Sequence, residues 1–175
     1  RAKADEAGLE VAHKSDSQDI CFVPDGDYAA VIARLGVKSK QGNFVHMNGT
    51  VLGKHKGQLH YTIGQRKGLG VSYEYPLYVI SKDMATNTVV LGPNDALFSK
   101  ELWASNVNFI TVDKLTEPMR VTAKARYRMK DVPATIESAE DGLVHVIFDE
   151  PQRAITPGQA VVFYDGQYVV GGGII

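Results

Sequence analysis

From Val121 to Lys130 the chain reads Val-Thr-Ala-Lys-Ala-Arg-Tyr-Arg-Met-Lys. Cations occupy every second position (Lys124, Arg126, Arg128, Lys130), with Ala123, Ala125, Tyr127 and Met129 among them. Successive side chains of a strand point to opposite faces, so this spacing predicts four cations on one face and apolar groups on the other. A rise of about 3.3 Å per residue sets neighbouring cations roughly 6.6 Å apart, close to the phosphate repeat of a nucleic-acid strand. Two guanidiniums beside a tyrosine suit phosphate gripping and base stacking. The same pattern also fits an edge strand that cations guard against aggregation. On strict alternation Tyr127 points inward, unless a bulge or strand end re-aims it.

A second constellation runs from Gly57 through Tyr61-Thr62-Ile63-Gly64-Gln65-Arg66-Lys67-Gly68-Leu69-Gly70. Its glycines permit close backbone approach, and Arg66 and Lys67 supply charge. It is not a Walker A loop, which needs Ser or Thr after Gly-Lys, and it holds no dinucleotide fingerprint. Two readings stay open: a glycine-rich turn with exposed cations, or a loop that meets a phosphate or RNA backbone. Cys21, in Ile20-Cys21-Phe22-Val23, reads on its own as a small buried hydrophobe. Asp16 and Asp19, if close in space, would oppose its thiolate. His55 and His60 have no acid or cysteine nearby, so no metal site is expected.

These residues sit in a chain of 175, with 44% hydrophobic and 22% charged residues and a net charge of −1. Those are globular values, which exclude wholesale disorder, and about 70% of the extended surface can be buried at this length. No apolar run reaches the roughly 18 residues of a membrane span, and no signal-peptide pattern opens the chain. One cysteine excludes an internal disulfide framework and a Cys-rich zinc site. The expectation is a soluble, cytoplasmic monomer that touches no membrane. Net charge alone argues against a general nucleic-acid binder, but its distribution does not. Residues 28–73 carry seven bases and no acid, and residues 120–130 carry five bases and no acid. Such blocks are either solvated faces or local patches for an anionic partner.

The elements that must position them read as mainly β. Ala4, Ala7 and Val11 share a helical stripe with Gly8 inside it. A second short helix runs from an Asp25 cap through Tyr28, Val31, Ile32 and Leu35 to Gly36. Residues 43–46 and 50–52 flank an Asn48-Gly49 turn, a strong hairpin signal. Residues 77–81 and 88–91 flank a polar turn, and a boundary lies near Gly92-Pro93-Asn94-Asp95. Beyond it, strands are expected at 102–110, 119–129, 134–139, 143–148, 160–164 and 168–170, with Asp149-Glu150-Pro151 as a strand-end turn. Several short strands with few helices imply a small antiparallel barrel or sandwich.

Five blocks, in order, carry a resemblance: Ser15-Asp16-Ser17-Gln18-Asp19-Ile20-Cys21-Phe22, Tyr61 to Leu69 as quoted above, Ala125-Arg126-Tyr127-Arg128, Thr156-Pro157-Gly158-Gln159-Ala160 and Gly171-Gly172-Gly173-Ile174-Ile175. Together they resemble the bacterial tRNA-specific 2-thiouridylase family. The resemblance implies a small central β-rich domain with one or two short helices (24–94), followed by a C-terminal antiparallel β-barrel (95–175). Residues 1–23 would close an N-terminal ATP pyrophosphatase domain, whose Ser-Gly-Gly-x-Asp-Ser loop and first catalytic cysteine this sequence lacks.

The family's chemistry is ATP-dependent sulfur transfer to the wobble uridine of tRNA: ATP adenylates the C2 oxygen, and sulfur then displaces AMP. By resemblance Cys21 is the cysteine that receives sulfur as a persulfide from a donor protein. A persulfide is more acidic than a thiol, which answers the objection from the local acids. Arg126 and Tyr127 match the family's tRNA-contacting pair and Gln159 a further tRNA contact. Lys124 and Arg128 extend the basic face, and Gln65, Arg66 and Lys67 are expected to meet RNA or another domain. ATP would bind the N-terminal domain and no cofactor this piece, which alone should thiolate nothing. The competing expectations are a stand-alone RNA-binding β module without catalysis and a barrel whose charges serve solubility only.

Overall fold

A computed structural model describes residues 2–9, 13, 31–32, 34–36, 39–127 and 129–175. The chain forms two compact units, Arg1–Ser39 and Lys40–Ile175. In the first, helix α1 spans Ala2–Glu6 and buries no residue. Gly8 does not sit inside the helix as expected from the stripe but ends it. Its φ of 64° is left-handed, its N–H bonds Asp5 O at 2.9 Å, and Leu9 N–H bonds Ala4 O at 3.0 Å. That pairing is a Schellman cap, which glycine adopts without a Cβ penalty. Val31, Ile32 and Arg34 are helical, and Gly36, at φ 85°, follows them as the expected C-cap. Cys21 and its block lie outside the described residues.

The second unit holds a four-stranded mixed sheet and a closed barrel. The sheet comprises β1 (Gly42–His46), β2 (Val51–His55), β3 (Tyr78–Asp83) and β4 (Thr88–Gly92), in the order β2-β1-β4-β3. The Asn48-Gly49 turn joins β1 to β2 as expected: Gly49 has φ 92°, and Asn48 Oδ1 accepts from Thr50 N–H at 3.0 Å. β1 also pairs with β4 in parallel. Phe44, Tyr61, Leu69, Leu77, Val79, Val89 and Leu91 form its core.

Six further strands close the barrel: β5 (Phe98–Phe109), β6 (Met119–Lys124), β7 (Val132–Ser138), β8 (Val144–Arg153), β9 (Ala160–Asp165) and β10 (Tyr168–Ile174). Every neighbouring pair is antiparallel, in the order β10-β5-β8-β7-β6-β9. Inward residues alternate along each strand; Val121, Ala123, Ile136, Val146, Phe148, Val161 and Phe163 fill the interior. The chain is therefore mainly β, with a small mixed sheet and a six-stranded antiparallel barrel. No helix among the described residues is long and apolar enough to cross a membrane.

Three strand expectations need correction. β6 stops at Lys124 and does not run to Met129. Asp149-Glu150-Pro151 is not a strand-end turn but part of β8: the register with β5 jumps from Ser99↔Gln152 to Glu101↔Ile147. Pro151 sits in that bulge, where its missing N–H removes no pairing with β5. Finally, β10 continues past Val170 through the three glycines. Low strand propensity hides them in sequence, yet close approach requires them. A Cβ on Gly172 would stand 2.7 Å from Val161 O, and one on Gly173 would stand 2.6 Å from a Val107 methyl.

Candidate nucleic-acid interface

Where β6 ends, the alternation of cations ends with it. Ala125 is the last residue to plug the barrel, Arg126 and Tyr127 turn away from the strand, and Met129 N–H bonds back to Arg126 O at 3.1 Å. The four-cation face expected from period two is therefore not formed. Lys124 remains on the strand, Arg126 opens the turn, and Tyr127 rides its tip at 87% exposure. The strand end re-aims Tyr127 outward. Arg128 lies outside the described residues, and Lys130 is exposed. Arg120, in the same basic block, is held by Asp149 through two 2.8 Å bonds, which hold that carboxyl below its usual range.

Arg126 turns inward rather than to solvent. Its Nη2 donates to Ala154 O and, at 2.8 Å, to Thr156 Oγ1, while its Nε is buried with no partner. No carboxylate pairs with it among the described residues. Burial, and secondly the neighbouring Arg153, lower its pKa from the ordinary arginine value, but a guanidinium stays charged at any physiological pH. An uncompensated, half-buried cation with an unfilled donor is a feature that structure alone seldom retains.

The segment after β8 builds the opposing wall. Ala154 is fully buried in left-handed backbone at φ 56°, its N–H bonded to Leu97 O at 2.7 Å. Thr156-Pro157-Gly158-Gln159 forms a turn with Gly158 at φ 83°, closed by Gln159 N–H to Thr156 O at 3.3 Å. Proline second and a left-handed glycine third is the chemistry a type II turn requires. The turn is tied to Ile175, whose O accepts from Gly158 N–H at 2.8 Å. Gln159 is thereby presented at the surface.

Lys124, Arg126, Tyr127 and Gln159 line one groove of about 640 Å³, with Ala160, Val162 and Tyr164 of β9 completing it. Lys124 Nζ lies 5.7 Å from the Tyr127 ring centroid. The three β9 residues were missed in sequence. The signal was available: Ala160-Val161-Val162-Phe163-Tyr164 is apolar on both faces, more than a barrel strand needs for one.

Gln65, Arg66 and Lys67 lie elsewhere in this unit. Gln65 braces its own loop: Oε1 accepts from Thr62 N–H at 3.0 Å, and Nε2 donates to Lys67 O at 3.0 Å. Arg66 and Lys67 are exposed. Arg66 borders a hollow of about 460 Å³ formed with residues 68–77. This loop reaches the groove's supports through Gly64, where a Cβ would stand 3.2 Å from that of Ala154. His55 is a core histidine: Nδ1 accepts from Gly57 N–H at 3.0 Å, and Nε2 bonds Asn87 O at 3.1 Å.

Comparison with known proteins gives this geometry a family. Residues 31–93 match the tRNA methyl transferase PRC-barrel domain, and residues 99–175 match the aminomethyltransferase beta-barrel domain. Over the whole of this chain, the tRNA-specific 2-thiouridylase MnmA of Acetivibrio thermocellus is 58% identical, and that of Clostridioides difficile 54%. This chain belongs to the tRNA-specific 2-thiouridylase family. It spans about half the length of the curated relatives it matches, 49% of each of those two. Every residue lining the groove falls within the matched barrel domain.

Proposed function

We propose that this chain holds tRNA for an ATP-dependent sulfurtransferase that makes 2-thiouridine at the wobble position, with Cys21 carrying sulfur as a persulfide. The observation that supports it is the groove, which gathers Lys124, Arg126 and Tyr127 from one stretch of sequence and Gln159 from another more than thirty residues on. Its cations meet phosphates, and Tyr127 offers a face to a base. Arg128, Arg66 and Lys67 extend the contact, while Gln65 shapes the loop that carries the latter two. The boundaries at 23/24 and 94/95 belong to the same reading, as does a persulfide-bearing donor protein. ATP finds no cradle among the described residues. In the 64–70 loop the Gln65 amide is turned onto the loop's own backbone.

Lys124 gives the clean test. Arg126→Ala would disturb the turn as well as the charge, whereas Lys124 reaches outward from its strand. Lys114, in the loop leading into β6 at the opposite end of the barrel, is the control. Binding of a tRNA transcript is measured across a salt series. Lys124→Ala should lower the salt slope by roughly 0.7 to 0.9, while Lys114→Ala leaves it at the wild-type value. Equal slopes for the two variants would remove the groove from tRNA binding.

A further inference from the structure

β9 turns Val161 and Phe163 into the barrel and leaves Ala160, Val162 and Tyr164 on its outer face. Outward positions of a barrel in water are ordinarily polar, so three apolar ones in succession need a reason. Barrel packing gives none, because the interior is already filled from the other face. The three line the groove beside the two cations, and its volume of about 640 Å³ suits a ligand of nucleotide size. A phosphate alone gains nothing from Val162 or from the ring of Tyr164; a nucleobase, with its π-face, gains from both. The charge selects the same occupant. Lys124 and Arg126 both line the groove, and Arg153 lies near enough to Arg126 for its charge to be felt there.

Resting on the tRNA-binding reading above, we infer that the groove takes one unpaired nucleobase of an RNA strand. The base packs against Tyr164 and Tyr127, the Gln159 amide stands at its edge, and Lys124 and Arg126 meet the flanking phosphates. Gln159 offers both donors and an acceptor, so it can pair with the polar edge of a base. Duplex RNA, whose bases stay stacked, cannot enter such a groove and meets the protein through its backbone only.

The test uses the 175-residue chain and three RNA probes of equal length: a single strand, the same strand made abasic, and its duplex. The wild type should bind the single strand more tightly than either other probe. Tyr164→Ala should weaken single-strand binding roughly 5- to 140-fold, with an unchanged salt slope because no charge is lost. Tyr164→Phe, which keeps the face, should bind within about twofold of wild type. The abasic strand should bind Tyr164→Ala and wild type alike. Should Tyr164→Ala not fold, the wild-type comparison of single and abasic strands still decides. Equal binding of those two, or a Tyr164→Ala chain that binds the single strand as wild type does, overturns the inference and leaves a phosphate-only groove. A wild-type chain that binds none of the three overturns the tRNA reading with it and directs the apolar strip to a protein partner.

Discussion

Ala154 shows what single residues do here. A side chain at φ 56° costs roughly 1–2 kcal/mol against ordinary backbone, and the fold retains that cost because both polar groups of the residue are used. Its N–H reaches Leu97, and its carbonyl accepts from Arg126 and Thr156. Gly64 must stay bare for the same reason. At φ 87°, with the Ala154 methyl 3.2 Å from any added Cβ, Gly64→Ala should cost about 1–3 kcal/mol in urea unfolding. An unchanged midpoint would show that the loop does not press on Ala154. Asp83 is a second such residue. The Thr86 hydroxyl first, then the Thr86 and Ala85 N–H groups, bond its carboxylate and hold its pKa below the usual value. The folded carboxyl therefore binds a proton less readily than the unfolded one. Its contribution is present above the unfolded value of about 3.9 and is lost as pH falls through the folded value. Asp83→Ala should melt below wild type at neutral pH, and the gap should close in acid; a gap that persists in acid would mean that the carboxylate's charge does not matter to the turn.

At the scale of elements, β10 carries the sharpest demand. Its glycines lie so near β5 and β9 that Gly173→Ala sets a Cβ 2.6 Å from Val107 and 2.7 Å from Ser105 O. Thermal melting should report a loss on the order of 1–3 kcal/mol; wild-type stability would mean that β10 can shift away from β5 at no cost. That strand was only half legible in sequence, since propensity excludes a glycine run and contact distances are invisible there. The turn at Asn48-Gly49 was legible, because a local turn rule suffices, while β2 runs on to His55, past the expected 50–52. The cation face on β6 misread for a definable reason: alternation gives the period but not the strand's end. β6 stops at Lys124, Met129 N–H bonds back to Arg126 O, and what captures Arg126 is a carbonyl 28 residues onward. The apolar outer face of β9 was readable from residues 160–164, but its place beside Lys124 needed the register Lys124↔Val162, which no single-sequence pattern contains.

At the scale of the whole molecule, a net charge of −1 conceals how the cations are placed. Arg120 is neutralised by Asp149, whereas Lys124 and Arg126 meet no carboxylate in an ion pair among the described residues. The basic block is thus a source of one local site rather than a uniformly positive face. On the proposed function, Cys21→Ser in the whole protein should abolish 2-thiouridine formation, measured by mass spectrometry of digested tRNA, while tRNA affinity stays at wild type. Retained thiolation would return Cys21 to the role of a buried hydrophobe. The central claim is that tRNA lies in the barrel groove, and site-directed photocross-linking asks this most directly. Benzoylphenylalanine replaces Tyr127 in one variant and Trp103 in another; Trp103 is also exposed but lies on the β5–β8 side of the barrel, paired with His145. Irradiation with tRNA should give a covalent adduct at position 127 and none at position 103. Adducts at position 103 alone, or equal yields at both, would contradict the account.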